Sequence, residues 1–331
     1  MSELLFVEAD GLFPYRNQAL EEALFETLPA DAVALYLWRN DRTVVVGRNQ
    51  NVLSECNAAL LEREGGFVAR RISGGGAVYH DAGNLNFTFV AGDARYDVQK
   101  QLKVITDAVN TFGIEAAPTG RNDIEAGGRK FSGNAFCRSN GRSLHHGTLL
   151  IRSDAAALAR YLTPPADKLA ARGIASVRAR VCTLSQLCAG ITTQAVGSAL
   201  RDSFAAAYGG APDAVPASAF EADIARRQPR FSSRAWIYAG GDKAENTLRG
   251  RFGWGGFELC WNTRGDRMAD VRAFSDALET GLFGRIAAAL EGVPARRADA
   301  AAAVRAVCCE NEEQQTIRED AAALLAGGNA L

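Results

Sequence analysis

The chain has 331 residues, 47% of them apolar and 23% charged, which describes an ordinary globular protein and is more length than one hydrophobic core usually serves. A net charge of −1 argues against nucleic acid as an obligate partner, which would need a basic surface, and leaves room only for a local basic patch such as Arg70-Arg71. The acidic start Met1-Ser2-Glu3, the lack of any apolar run of membrane-spanning length, and seven scattered cysteines without a C-x-x-C pair argue against export, a membrane partner, a disulfide framework and a zinc site. The expected location is therefore the reducing cytoplasm.

In chain order, Leu4 to Val7 reads as a strand, and Pro14 to Leu28 as a helix whose apolar face is Ala19, Leu20, Ala23 and Leu24. Leu35 to Trp38 and Thr43 to Gly47 read as a hairpin across the polar turn Arg39-Asn40-Asp41-Arg42. Ser54 to Glu64 reads as one helix, with Ser54 as N-cap and Gly65-Gly66 as its stop. Phe67-Val68-Ala69 leads into three consecutive glycines, and Asn84 to Val90 is a strand again. A helix is expected from Asp97 to Phe112, ending at Gly113, and then a β-rich stretch through Thr119 to Ile124, Arg129 to Phe136 and Ser143 to Ile151. Further helices are expected at Asp154 to Tyr161, Thr192 to Tyr208 and Ala219 to Arg227. Thr163 to Arg180 lacks a clean period and reads as a long functional loop. From Thr247 three short antiparallel strands (Leu248 to Trp254, Gly255 to Asn262, Met268 to Phe274) precede Ala-rich helices at Glu279 to Leu290, Arg297 to Cys308 and Asn311 to Leu325, an order that suggests a separate small α+β unit.

The stretch Arg70-Arg71-Ile72-Ser73-Gly74-Gly75-Gly76-Ala77-Val78-Tyr79-His80-Asp81 sets two fixed cations against a triglycine turn. Glycines permit close backbone approach, successive N–H groups can form a nest for anions, and arginines fork onto phosphate or carboxylate oxygens. A solvated hairpin turn is the alternative reading. The run opens no helix and the chain has no G-x-x-x-x-G-K-[ST], so neither a dinucleotide fold nor a P-loop is indicated. A nucleotide would instead sit on a sheet-borne glycine turn. Lys130, in Gly127-Gly128-Arg129-Lys130-Phe131-Ser132-Gly133, alternates with the apolar Phe131 and so either enters a pocket or is a solvated edge charge. His145 and His146 occupy adjacent strand positions, so one is expected in the core and the other in solvent, without a shared metal.

Five segments taken together resemble the lipoate-protein ligase A family: residues 70 to 81, Gly120-Arg121-Asn122-Asp123, Arg129-Lys130-Phe131-Ser132-Gly133-Asn134-Ala135, His145-His146-Gly147-Thr148-Leu149-Leu150, and Lys168 to Val181. Trp38-Arg39-Asn40, Val45-Val46-Gly47-Arg48 and Glu55-Cys56-Asn57 extend the likeness towards the N-terminus. Phe252-Gly253-Trp254-Gly255-Gly256-Phe257-Glu258-Leu259 resembles the family's accessory domain. The resemblance implies an α+β fold: a large domain of mixed and antiparallel sheets flanked by helices, of the biotin/lipoate ligase type, over residues 1–244, and a small accessory domain over 245–331. It implies ATP and Mg2+, activation of lipoate to lipoyl-AMP, and transfer to a lysine of lipoyl domains of 2-oxoacid dehydrogenase complexes or of the glycine-cleavage H protein.

By the same resemblance, Arg71 and the backbone of Gly76, Ala77, Val78 and Tyr79 hold the nucleotide, and Lys130 contacts both carboxylate and phosphate as a charge clamp. Ser73 and His146 lie at the mouth of an apolar lipoate slot that the Asn17 to Leu24 helix helps to line, and Lys168 and Arg172 are the cations of a closing loop. The chain departs from the family pattern at Asn17-Gln18, in a shorter loop between Asp123 and Arg129, and at Cys182, none of them a clamp position. The alternatives are an octanoyl or lipoyl transferase of the same fold, working through a cysteine, and a catalytically silent binding module.

Overall fold

The computed structural model describes residues 3–120, 122–163, 181–240 and 244–327. In chain order the first part reads β1 (Leu4–Glu8), α1 (Pro14–Thr27), β2 (Val33–Trp38), β3 (Thr43–Val46), α2 (Val52–Glu55), α3 (Ala58–Arg63), β4 (Phe67–Arg70), β5 (Val78–His80), β6 (Asn84–Gly92) and α4 (Val98–Asn110). Then come β7 (Ala116–Thr119), β8 (Asp123–Ala126), β9 (Arg129–Ser139), β10 (Arg142–Leu150), α5 (Ala155–Tyr161), α6 (Leu184–Leu187), α7 (Thr193–Tyr208), β11 (Asp213–Pro216), α8 (Glu221–Phe231) and α9 (Arg234–Tyr238). The C-terminal part holds β12 (Asn246–Phe252), β13 (Gly255–Arg264), β14 (Arg267–Ser275), α10 (Leu282–Leu290), α11 (Arg297–Arg305) and α12 (Glu312–Ala326).

The main sheet runs β11-β1-β2-β6-β10-β9-β8-β7, parallel across β11, β1 and β2 and antiparallel from β2 onwards. Its middle strands are apolar on both faces because helices cover both. On one side Leu20 and Leu24 of α1 pack against Val7, Tyr36, Trp38, Val90 and Leu144. On the other, Val104 and Ile105 of α4 and Leu200 and Phe204 of α7 pack against Leu35, Phe87, Phe89 and Phe131. Each such fully buried Leu or Phe contributes roughly 1.5–3 kcal/mol. α4 begins where the Asp97 side chain accepts from Lys100 N, and the chain turns out of it at Gly113, φ +72°. The C-terminal strands form an antiparallel sheet of their own, whose core joins Phe257, Leu259, Phe283, Ile286 and Ile317.

Three expectations change. Leu35 to Trp38 and Thr43 to Gly47 are not a hairpin. β2 pairs with β1 and β6, whereas β3 enters a second sheet, β4-β3-β5. The polar turn between them is anchored, because buried Asn40 accepts from Asn17 Nδ2 at 3.0 Å and meets His80 Nδ1 at 3.2 Å. Ser54 to Glu64 is not one helix and Ser54 is not its cap. Asn51 and Asn57 cap α2 and α3 separately, and Cys56 stands extended between them in a bridge to Leu162. The expected solvent-facing histidine does not exist either: His145 and His146 are both buried, because β10 is an interior strand covered on both faces.

Candidate active site

The two arginines that precede the glycines turn inward. Arg70 closes β4, and its guanidinium donates to the carbonyls of Gly47 (3.0 Å), Arg48 (2.9 Å), Trp236 (2.9 Å) and Ile237 (2.7 Å), tying the glycine turn's base to β3 and α9. Arg71 donates to Ser73 Oγ at 3.0 Å and to the carbonyls of Gly74 at 2.6 Å and Gly76 at 2.9 Å, so it holds the turn's shape from within. Burial pulls both guanidinium pKa values down, to about 9 for Arg70 and about 10 for Arg71. Glycine is required at two places here. Gly75 has φ +90°, and a Cβ on Gly47 would stand 2.1 Å from the Gly75 carbonyl oxygen.

Beneath the turn runs a buried polar relay. Ser73 Oγ lies 2.6 Å from His146 Nε2, and His146 Nδ1 lies 2.7 Å from Glu21 Oε1. That oxygen also accepts from Thr88 Oγ1 at 2.6 Å, and Thr88 in turn accepts from Trp38 Nε1 at 2.9 Å. Glu21 thus faces Nδ1 of the ring and Ser73 faces Nε2, while the Ser73 oxygen accepts from Arg71 Nε. Every member is buried, and every bond is short enough to offset the cost of taking these groups out of water.

Lys130 lies on the same face, where the sheet opens. β9 is an interior strand, which removes the edge-charge reading. The ammonium is 2.6 Å from Asp123 Oδ1, with each side chain one-third exposed. It also stands over Gly133, where an added Cβ would come within 2.9 Å of Nζ. The Gly133 N–H donates to Thr148 Oγ1 at 3.3 Å, and Thr148 is two positions along β10 from His146, on the same side. The result is a shelf with an accessible cation at one end and the Ser73–His146–Glu21 relay at the other. Past Ile72 and Cys137 a cavity of about 420 Å³ opens between Phe25, Arg48, Arg230 and Trp236, with the Arg48 and Arg230 guanidiniums each 4.3 Å from the Trp236 ring centroid.

Of the sequence-predicted residues, Arg71, Ser73 and His146 form one contact chain, and Lys130 borders the same face. Gly76, Ala77 and Val78 are half-buried on the descending arm of the turn. Tyr79 is buried, and its ring lies 5.5 Å from that of Tyr161, away from the sheet face. Lys168 and Arg172 fall outside the described residues. Glu21 and Asp123 were not foreseen. Neither carries a signal in the sequence: Glu21 reads as an ordinary helix acid until the fold buries it on α1. Cys137 and Cys182 have no nucleophile's setting, since burial pushes the thiol of Cys137 to about 11 and raises that of Cys182. Among the described residues no three His, Cys, Asp or Glu side chains gather into a metal site, and no helix is long and apolar enough to cross a membrane.

Solved structures share this fold. Plasmodium falciparum LipL1 in complex with lipoate is 28% identical at a TM-score of 0.81, over 95% of this chain and 98% of that one. A bi-partite lipoate protein ligase of Thermoplasma acidophilum, solved with its E2 lipoyl domain, is 25% identical at a TM-score of 0.64, over 74% and 98%. A lipoate-protein ligase A bound with ATP, 24% identical at 0.63 over 72% and 98%, shares the fold. Residues 13–205 match the lipoyl protein ligase A/B catalytic domain and residues 243–325 the bacterial lipoate protein ligase C-terminus. A glycine turn clamped by Arg71, a buried Ser73–His146 contact and Lys130 on the open sheet face thus occupy the catalytic part of an enzyme that belongs to the lipoyl protein ligase A/B family.

Proposed function

We propose that the protein activates lipoate with ATP and transfers the lipoyl group to a specific lysine of lipoyl domains, those of 2-oxoacid dehydrogenase complexes and the glycine-cleavage H protein. The observation that carries this reading is the placement of Lys130. It is an accessible ammonium, balanced by one carboxylate, on the same sheet face as the glycine turn and the Ser73–His146 relay. A carboxylate and an α-phosphate repel each other, and a cation between them lowers the cost of bringing them into contact.

The lipoate carboxylate attacks the α-phosphorus and pyrophosphate leaves; the acceptor lysine's amine then attacks the carbonyl of the mixed anhydride and AMP leaves. Lys130 bridges both anions throughout. Backbone N–H groups of Gly76 to Tyr79 and the charge of Arg71 receive the nucleotide, while Ser73 and His146 face the lipoyl chain. Lys168 and Arg172 close the site, and the division at residues 244 and 245 separates catalysis from an accessory unit. Mg2+ accompanying ATP would be held chiefly by phosphate oxygens and would offset their charge, with Asp123, beside the Lys130 ammonium, a carboxylate that could join them. The lipoate and lipoyl-domain complexes of the 28% and 25% identical relatives support substrate and partner alike. The protein's setting is a reducing cytoplasm, a reading that rests on seven scattered cysteines without a C-x-x-C pair.

The transferase reading needs a reactive thiolate, and the raised pKa values of Cys137 and Cys182 disfavour it. The test is the mass of an apo lipoyl domain after incubation with the protein, lipoate, ATP and Mg2+. The expected result is a lipoyl increment that vanishes without ATP and falls at least about a hundredfold in rate in Lys130→Ala. Modification from an octanoyl-carrier thioester without ATP would overturn the reading in favour of the transferase.

A further inference from the structure

On the far face of the sheet from Lys130 lies a second buried chain of hydrogen bonds. His145 is fully buried, its ring stacked 4.8 Å from Phe136 and edge-on to Phe87 at 5.3 Å. Its Nε2 is 2.8 Å from Asn134 Oδ1, and the Gln101 amide lies 3.0 Å from its Nδ1. Asn134 is bonded three times to Asn122: its backbone N–H (2.8 Å) and Nδ2 (3.0 Å) donate to the Asn122 carbonyl, and its own carbonyl accepts from Asn122 Nδ2 at 3.1 Å. The next residue is Asp123, the ion-pair partner of Lys130.

The direction of this chain can be deduced. Because Asn134 Nδ2 is committed to Asn122, Oδ1 must face His145, and Nε2 must donate. Burial pulls the His145 pKa down to about 3, so the ring is neutral and Nδ1 must accept. Gln101 therefore has to present its NH2 to Nδ1. With Oε1 towards the ring, as the amide stands, Gln101 Nε2 lacks an acceptor, and the buried Tyr208 hydroxyl, which meets the same amide, lacks a partner as well. Turning the amide by 180° satisfies both: Tyr208 donates to Oε1, and Nε2 donates to His145.

We propose that His145 is a positioning residue, fixed as the Nε2–H tautomer in the directed relay Tyr208–Gln101–His145–Asn134–Asn122, which ties α7, α4, β10 and β9 to the start of β8 and so sets Asp123 and the Lys130 ammonium. This rests on Lys130 acting as the clamp proposed above. The β8–β9 pairing bulges between Ile124 and Glu125, so the hairpin turn on the far side of the bulge does not by itself fix where Asp123 stands. Asn122, held three ways, is the fixed end from which Asp123 reaches Lys130.

The test uses the full chain. In lipoate-dependent exchange of pyrophosphate into ATP, His145→Phe keeps the ring volume and stacking but removes both bonds. It is expected to lower kcat at least about tenfold, with KM for ATP changed less than about twofold. Combined with Lys130→Ala, it is expected to add no further loss, since no ammonium remains to be placed. An equal loss in both backgrounds, or none in either, would overturn the proposal. Where His145→Phe fails to fold, two measurements still decide it. Tyr208→Phe should show the same split in smaller measure, and the ring 15N resonances of His145 in the unaltered protein should be those of protonated Nε2 and bare Nδ1. A Nδ1–H or doubly protonated ring would sink the relay. Wild-type protein inert in exchange would instead count against the ligase reading, and the ring resonances would still judge the relay on their own.

Discussion

An ammonium can rest over residue 133 only because that residue has no side chain. The contact an alanine would make is with the end of a flexible lysine rather than with backbone, so the fold can accommodate the methyl by moving Lys130. Gly133→Ala should therefore separate stability from function. The thermal midpoint is expected to stay within about 3 °C of wild type, while transfer to a lipoyl domain falls by at least about tenfold. Parallel melting curves and acceptor mass measurements check it, and a variant that melts early with unchanged specific activity would mean that the ammonium is not held where activity needs it. Arg71 shows the opposite economy, since its short bonds to Ser73 and the glycine carbonyls make it a builder of the turn as well as a charge beside it.

At the scale of elements, strand positions buried beneath other elements carry the histidines, and this has a consequence in acid. Burial, with the nearby charges of Arg71 and His146, holds His80 on β5 at about 3, and burial, with His146, holds His145 on β10 at about 3, against an ordinary 6.5. Above pH 6.5 folded and unfolded chains are both neutral at these rings and they add nothing to the pH dependence. As pH falls below 6.5 the unfolded chain takes up protons that the folded chain refuses, so stability is lost progressively towards pH 3. Between pH 7 and pH 5.5 the two rings together should cost about 2–3 kcal/mol in urea unfolding. An unfolding free energy that is flat over that window would show that the rings are not held neutral.

Periodicity made most helices and strands readable: α1 and α4 declared themselves by apolar spacing and their terminal signals, and the C-terminal strands by alternation. What could not be read was partner choice. Nothing local in Thr43 to Val46 says that it pairs with β4 and β5 rather than back onto β2; the buried amides of Asn17 and Asn40, which fix that departure, are joined only in three dimensions. Cys56 splits a helical stretch because it bridges Leu162, more than a hundred residues away. Of the site, the glycine turn and Lys130 were legible as unusual residue pairings. Glu21 and Asp123 were not, because an isolated acid in a helix or strand has no local mark of burial or of an opposing charge.

Across the whole molecule the C-terminal unit roofs the glycine turn. Gly75 N–H donates to the Ala277 carbonyl at 2.7 Å, Ser275 N–H to the Asn49 carbonyl at 2.8 Å, and Asn51 Nδ2 to Glu258 Oε1 at 3.0 Å. Gly74 is packed so closely beneath the Ala277 and Leu278 carbonyls that a Cβ would come within 2.5 Å of both oxygens. The turn that would receive a nucleotide and the unit that follows the catalytic part thus meet backbone to backbone, beside the centre proposed around Lys130. The measurement that tests this centre most directly is the incorporation of labelled pyrophosphate into ATP with no acceptor protein present. Exchange that appears only when lipoate is added, and falls at least about a hundredfold in Lys130→Ala, is the predicted result; exchange indifferent to lipoate, or undiminished without the Lys130 ammonium, would contradict it.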